Sequence, residues 1–132
     1  MKENIIENIA VKNDEIWQKA IENESWIKPI VDIVETQYNF KLYINLPGIS
    51  KENIKLKLEK NVLSLMALND VEKKSSYNYI LKESDLANYA RTFTLAEDII
   101  DTQNISAEYS NGILELTLPK KEKAIPKQIE IK

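Results

Sequence analysis

The chain has 132 residues, enough for one domain of ordinary size with short extensions. It contains no cysteine, no histidine, two glycines, and one arginine beside seventeen lysines. This composition excludes disulfides, thiolate and imidazole chemistry and glycine-rich phosphate loops. The net charge of −3 argues against nucleic acid as a partner. This leaves carboxylate, lysine or hydroxyl chemistry, or no chemistry at all, and we expect no enzymatic activity, no cofactor and no metal site.

The sequence shows neither a membrane-spanning segment nor a signal peptide for secretion. No apolar run approaches the roughly 20 residues that span a bilayer. The first residues, Met1 to Asn4, lack the basic start and apolar stretch of a signal peptide. We expect a cytoplasmic protein with no membrane partner.

Residues 1–27 are predicted to form a helical N-terminal arm. Ile5 with Ile9, and Trp17 with Ile21, lie four residues apart, which places each pair on one face of a helix. The arm contains six acidic residues and three lysines, and no glycine or proline interrupts it.

Pro29 ends the helical pattern, and the residues after it mostly alternate between apolar and polar, as half-buried strands do. The alternation indicates an all-β fold, an immunoglobulin-like antiparallel β-sandwich of about 90 residues at 28–120. The strands are predicted at 30–35, 38–46, 54–59, 62–67, 77–81, 90–95, 105–109 and 113–118.

Turns and a tail complete the predicted domain. Pro47-Gly48, Lys60-Asn61 and Asn111-Gly112 are predicted tight turns, and Asn-Gly between alternating segments is a strong hairpin signal. The long polar stretch at 68–88 is predicted to be a loop with a function or structure of its own. Residues 121–132 form a short extended C-terminal tail, because Pro126 resists helix.

Several segments together resemble the small heat shock protein family of the bacterial type. The segment from Ala107 to Lys120, with its Asn-Gly turn, Ile-Leu pair and Pro-Lys, resembles the signature of the α-crystallin domain. Two departures are Ser84–Ala87, where the family often has Arg-Ser-Tyr-Gly, and Ala96 in place of a proline. The other matching segments are Pro29–Glu35, Leu46–Ile49, Lys51–Ile54, Arg91–Leu95 and Ile129–Ile131.

The resemblance implies an ATP-independent holdase chaperone. Such proteins bind partly unfolded client proteins and prevent their aggregation, and they work as dimer-based oligomers. The alternative is a structural or scaffold protein with an α-crystallin domain, such as a spore-coat-type component or a co-chaperone-like binding module. The implied partners are further copies of this chain and partly unfolded clients.

The resemblance also implies a dimer formed by strand exchange. A loop strand at about 77–82 is expected to pair with the partner's strand at about 30–35, whose open edge invites such pairing. The alternative is an ordinary hairpin loop within one subunit. Arg91 is expected to form an ion pair with a carboxylate near this interface. The residues assigned to the interface are Ile30, Val31, Ile33, Tyr77, Tyr79, Ile80, Leu81 and Arg91.

By the same resemblance, Ile129 and Ile131 of the tail dock into a groove of a neighbouring subunit. Residues 120–128 extend about 30 Å when fully stretched, which is enough to reach another subunit. The alternatives are a frayed tail or one folded onto its own domain. The groove residues are Ile54, Leu56, Leu58, Ile105, Ala107 and Tyr109.

The arm is the candidate client-binding and assembly segment, and the alternative is that its helices only cover the core. The candidate client-binding residues are Trp17, Ile21, Trp26 and Ile27. The acidic run of Glu97, Asp98 and Asp101 lacks the spacing and glycine of a calcium loop, so we expect a solvated loop there. The two glycines, Gly48 and Gly112, are expected to serve their turns at positive φ.

Overall fold

The computed structural model describes residues 26–69, 76–83 and 87–132, and these form a two-layered β-sandwich. Three short 3₁₀ turns are Lys51–Asn53, Thr102–Asn104 and Glu122–Ala124. The strands are β1 (Trp26–Ile27), β2 (Val31–Glu35), β3 (Asn39–Asn45), β4 (Ile54–Glu59), β5 (Val62–Ala67), β6 (Asn88–Thr94), β7 (Ser106–Ser110) and β8 (Ile113–Pro119). Within the described residues, no helix has the length and apolar character to cross a membrane.

The strands form two sheets of four. The first sheet has the order β1-β6-β5-β4, and the second has the order β2-β3-β8-β7. All neighbouring strands are antiparallel except β1 and β6, which are parallel. Residues 28–30 join β1 directly to β2, so these two edge strands lie at the same side of the sandwich. The other two edge strands, β4 and β7, therefore lie together at the opposite side.

The core fills the space between the sheets, as the alternating pattern predicts. Every second residue of β3, β5 and β8 faces inward, and the side chains between them face outward. Burial of one such aliphatic side chain contributes about 1.5–3 kcal/mol. The largest fully buried side chains of this core are Ile44, Leu46, Leu65, Leu116 and Leu118. The sandwich prediction is confirmed.

Two tight turns have the backbone geometry that the sequence indicates. Lys60 and Asn61 have φ of 49° and 65°, and Asn111 and Gly112 have φ of 52° and 76°. Both central residues of each turn are thus left-handed, which is the geometry of the type I′ hairpin turn. The Leu46 N–H donates to the Gly112 carbonyl at 2.7 Å, so the end of β3 is tied to the β7–β8 hairpin.

Two predictions of secondary structure differ from the observed fold. Trp26 and Ile27, assigned to the helical arm, instead form β1, because extended backbone pairs them with Asn88 and Tyr89 of β6. The rest of the predicted helical arm, 1–25, lies outside the described residues. The strand predicted at 77–81 is also wrong for the single chain: residues 76–83 are irregular and exposed, and they have no strand partner among the described residues.

Candidate functional site

The β2 edge of the second sheet exposes apolar side chains. β2 pairs on one side with β3 and ends the strand order on the other. Val31 packs partly against the core, whereas Ile30, Ile33 and Val34 are exposed. The outer side of an edge strand offers backbone donors and acceptors to a further strand. This edge is therefore suited to bind an extended segment with apolar side chains.

The loop at 76–83 is such a segment. Tyr77 and Tyr79 stack edge to face with their ring centroids 6.0 Å apart. The Lys82 ammonium lies 5.6 Å from the centroid of the Tyr79 ring. Ile80 and Leu81 are exposed, and Ile80 is fully so. Both halves of the predicted dimer interface thus present apolar surface, and no strand pairing joins them within the described ranges.

Arg91 lies on β6 and forms a hydrogen bond to residues 28–30, the segment that joins β1 of the first sheet to β2 of the second. Its Nη1 donates to the Pro29 carbonyl at 2.9 Å, and its guanidinium carbon lies 5.3 Å from the centroid of the Phe93 ring. Among the described residues, the guanidinium has a carbonyl and an aromatic ring as partners and no carboxylate. The expected ion pair is therefore not formed within the described part of the chain, where the guanidinium instead donates to the Pro29 carbonyl.

The residues predicted to line the groove lie at the opposite side of the sandwich, on β4 and β7 and just before β7. Ile54, Ile105 and Tyr109 pack partly against the core. Leu56 and Leu58 keep 36% and 38% of their surface exposed, although they lie on the apolar side of β4. Ala107 on β7 is exposed as well. Of the six predicted residues, three thus pack partly against the core and three are exposed, and their binding of a tail stays a prediction.

Tyr109 fixes the two sides of this groove relative to each other. Its hydroxyl lies 2.9 Å from the Leu46 carbonyl oxygen and 2.7 Å from the Ile49 carbonyl oxygen, and it donates its single hydrogen between them. Burial raises the pKa of Tyr109, because the phenolate would lose hydration. These contacts hold the loop that contains Gly48, with φ of 76°, and leads into β4.

The root of the tail is anchored by Lys120. Only 5% of its side chain is exposed, and its Nζ lies 2.7 Å from Oε2 of Glu35 at the end of β2. The same ammonium lies 5.2 Å from the centroid of the Phe40 ring. The Lys120 N–H donates to the Tyr38 carbonyl at 2.8 Å. The tail therefore begins at a fixed point beside the β2 edge.

The free part of the tail is shorter than its sequence indicates. Lys121 donates its N–H to the Ile99 carbonyl at 2.7 Å, and a 3₁₀ turn follows at Glu122–Ala124. Ile125 is half-buried, whereas Ile129 and Ile131 are 85% and 94% exposed. The span from Ile125 to Ile129 is about 13 Å when extended, against the roughly 30 Å expected for a free segment from 120.

The four candidate client-binding residues differ in their exposure and in whether the structure describes them. Trp26 is only 6% exposed, so in this conformation its indole is not available to a client, whereas Ile27 is exposed. Trp17 and Ile21 lie outside the described residues, and their role stays a prediction.

The acidic run has local structural roles. Asp101 accepts from the Gln103 N–H at 3.2 Å and from Asn104 Nδ2 at 2.7 Å, and Glu97 accepts from Asn61 Nδ2 at 2.9 Å. In the part of the chain that the structure describes, no group of three potential ligands is placed to hold a metal ion.

Sequence reasoning missed the Lys120–Glu35 pair and the Tyr109 hydrogen bonds. Nothing in the local pattern indicates which distant group either side chain contacts. The sequence did contain a signal for another buried region, the end of β5. Leu65-Met66-Ala67-Leu68 is apolar at every position, and a continuous apolar run indicates a strand that is covered on both faces.

Comparisons with known proteins agree with this arrangement. A profile of the Hsp20/alpha crystallin family matches residues 32–132. Small heat shock protein C4 of Rickettsia felis is 31% identical over 83% of this chain and 67% of its own length. A probable 15 kDa heat shock protein of Leptospira interrogans is 36% identical over 80% of this chain and 79% of its own.

The fold has a close structural counterpart. The crystal structure of a small heat-shock protein from Xylella fastidiosa is similar to this chain with a TM-score of 0.65 and 30% identity, covering 80% of this chain and 97% of that one. The family profile extends from β2 through the sandwich to the end of the tail. The chain therefore belongs to the Hsp20/alpha crystallin family, the small heat shock proteins.

Proposed function

We propose that this chain is an ATP-independent holdase that binds partly unfolded proteins and keeps them from aggregating. Its family consists of chaperones and not of enzymes. The observation that carries the proposal is the exposed apolar surface at three separate places: the β2 edge with the 76–83 loop, the exposed residues of the predicted groove, and the tail. Clustered exposed apolar side chains are typical of sites of association.

The proposed unit of assembly is a dimer that exchanges strands. The exposed loop at 77–82 of one subunit pairs with the open edge of β2 in the other. Main-chain hydrogen bonds supply affinity in such an addition, and alternate side chains supply specificity. Ile80 and Leu81 on the loop and Ile33 on β2 are exposed in the single chain, so pairing removes apolar surface from water on both sides.

Larger oligomers form through the tail. Burial of Ile129 and Ile131 in a neighbour's groove contributes roughly 3–6 kcal/mol before entropy, and ordering of the tail offsets much of that. One such contact is weak, but many per particle hold an oligomer by avidity. A distinct high-order structure is described for the Xylella fastidiosa relative, which supports assembly in this family.

The tail contact is tested by changing both isoleucines. Ile129→Ala with Ile131→Ala should lower the particle mass measured by light scattering, because the apolar contact is lost. The matched control changes the alternate residues of the same segment, Gln128→Ala with Glu130→Ala, and should keep the native mass. Equal masses for both variants would contradict tail docking.

Strand exchange is tested by cross-linking, which the absence of native cysteine makes simple. Ile33→Cys and Tyr79→Cys place one thiol on each proposed strand, at positions that are exposed in the single chain. A short bismaleimide should join two different chains, seen as a dimer on a denaturing gel, with each single-cysteine variant as control. A link formed only within one chain would favour the ordinary hairpin loop.

The holdase activity is tested by warming a heat-labile client with this protein and no nucleotide. We expect suppression of light scattering at equal mass of chaperone and client. An assembled particle that suppresses nothing would overturn the holdase and favour the structural or scaffold alternative. Because particle size is measured separately, the two results distinguish assembly from activity.

A further inference from the structure

The two walls of the predicted groove belong to different sheets. β4 is an edge strand of the first sheet and β7 is an edge strand of the second. Within the described residues, β4 pairs with β5 and β7 pairs with β8, each on one side only. Main-chain hydrogen bonds fix the spacing of paired strands at about 4.8 Å, but they do not fix the spacing of these two walls. That spacing depends on side chains and on the segment that connects the sheets.

Residues 46–53 form the connecting segment, since they lead from β3 in the second sheet to β4 in the first. Leu46 and Ile49 belong to the core, and Gly48 between them has a φ of 76°, which turns the chain. The Ile49 nitrogen lies 3.4 Å from the Leu46 carbonyl oxygen, longer than the usual distance of about 2.7–3.2 Å. The main chain of this turn therefore holds it only weakly.

The Tyr109 hydroxyl closes this turn from the other wall. It lies 2.9 Å from the carbonyl oxygen of Leu46 and 2.7 Å from that of Ile49, so it meets both ends of the turn at one point. Tyr109 belongs to β7, and its side chain packs partly against the core. One side chain thus connects the wall at β7 to the segment that leads into the wall at β4. The Leu46 N–H also donates to the Gly112 carbonyl, but this bond holds only the first end of the segment.

We propose that Tyr109 is the positioning residue for tail binding: its hydroxyl holds the 46–53 segment and so sets the distance between β4 and β7 that a neighbour's Ile129 and Ile131 require. This inference rests on the proposed docking of the tail. Phenylalanine at position 109 fills the same space, but the two carbonyls then lose their common donor. β4, which follows directly after the segment, is then free to shift relative to β7.

Loss of the hydroxyl should affect tail binding more than the fold. Contact between apolar side chains requires close packing on both sides, and a gap of about 0.5–1 Å already removes about a quarter to a half of the dispersion energy of a contact. The two tail isoleucines have no other binding energy to replace that loss. The fold, by contrast, keeps the whole core between its sheets.

The test follows dissociation of the assembled particle on dilution, with the full chain and light scattering. Tyr109→Phe should raise the concentration at which half of the particles have dissociated several-fold, because a particle contains many weakened tail contacts. The matched control is Ile44→Val, which destabilises the core by removing one carbon and lies on β3, a strand that pairs with neither wall. The control should dissociate as the wild type does. An unchanged value for Tyr109→Phe would overturn the proposal, and so would an equal rise in the control.

The tail variant shows whether the hydroxyl acts through the tail. When Ile129→Ala and Ile131→Ala are already present, Tyr109→Phe should leave the particle mass unchanged, since no isoleucine remains to bind between the walls. A further loss of mass would contradict the proposal. If the tail variant itself keeps the wild-type mass, tail docking fails and this inference fails with it. If the tail variant dissociates and Tyr109→Phe does not, only this inference fails.

Hydrogen–deuterium exchange measures the positioning step directly. In the tail-variant background, which removes the effect of tail contacts, the amides of residues 46–53 should exchange faster after Tyr109→Phe. The amides of β2, at the other side of the sandwich, should keep their rate. An unchanged rate at 46–53 would show that the segment does not depend on the hydroxyl and would refute the proposal. Urea titrations establish that each variant is folded.

Discussion

Glu35→Ala should destabilise the fold more than the loss of a surface carboxylate usually does, because its partner is buried. The Lys120 side chain is 5% exposed and the Glu35 side chain 61% exposed, with 2.7 Å between Nζ and Oε2. Removing the carboxylate leaves an ammonium with little access to water. The carboxylate, by contrast, returns to water at small cost when the lysine is removed.

The burial of the two side chains gives the expected size of the stability loss for each variant. A buried donor left without its partner costs about 1–3 kcal/mol, and we take the lower part, about 1–2 kcal/mol, since the exposed Glu35 leaves room for water. Lys120→Met keeps the hydrocarbon stem beside Phe40 and removes the charge, so it should cost less than about 1 kcal/mol. In the Lys120→Met background, Glu35→Ala should cost almost nothing.

Urea unfolding at one fixed protein concentration measures these values, because assembly adds to stability by mass action. Asp32→Ala is the matched control, since Asp32 is an exposed carboxylate on the same strand with no ion pair among the described residues. A Glu35→Ala variant as stable as Asp32→Ala would refute the reasoning. So would a Lys120→Met variant that is less stable than Glu35→Ala.

Three further predictions concern single side chains. Tyr109→Phe should lower the free energy of unfolding by about 1–2 kcal/mol, because two carbonyls lose their donor. Since burial raises the pKa of Tyr109 above its unfolded value, the wild type should lose stability as the pH rises above about 10, and the phenylalanine variant should lose less on the same urea titrations. Lys60→Asn should raise the thermal midpoint by relieving about 0.5–1 kcal/mol of left-handed strain, and a lower midpoint would contradict this. Arg91→Lys should cost about 1 kcal/mol, because lysine loses the guanidinium contact with the Phe93 ring, and an unaltered urea midpoint would show that the arginine is incidental.

The sandwich was predictable because its information is local. Alternation along β3, β4 and β8 shows which side chains face inward, and Asn111-Gly112 has the residue types that a type I′ turn requires. Each of these signals lies within a few consecutive residues, and each is confirmed to within one or two residues.

The remaining features depend on partners far away in the chain. β1 is a strand only because β6 lies beside it, and the 77–81 segment lacks such a partner within the single chain. The Lys120–Glu35 pair joins residues 85 positions apart. The exposure of Ile129 and Ile131 agrees with a docking tail, but where they bind depends on another subunit and stays a prediction.

The complete burial of Met66 has a chemical consequence. Met1 and Met66 are the two methionines of the chain, and the Met66 thioether is shielded from dissolved oxidants. Oxidation turns a thioether into a polar, chiral sulfoxide, which fits poorly in an apolar cluster. Local unfolding around β5 therefore exposes Met66 to a change that hinders refolding. The oxygen gained by the Met66 peptide under mild peroxide thus accumulates with each local unfolding event at β5.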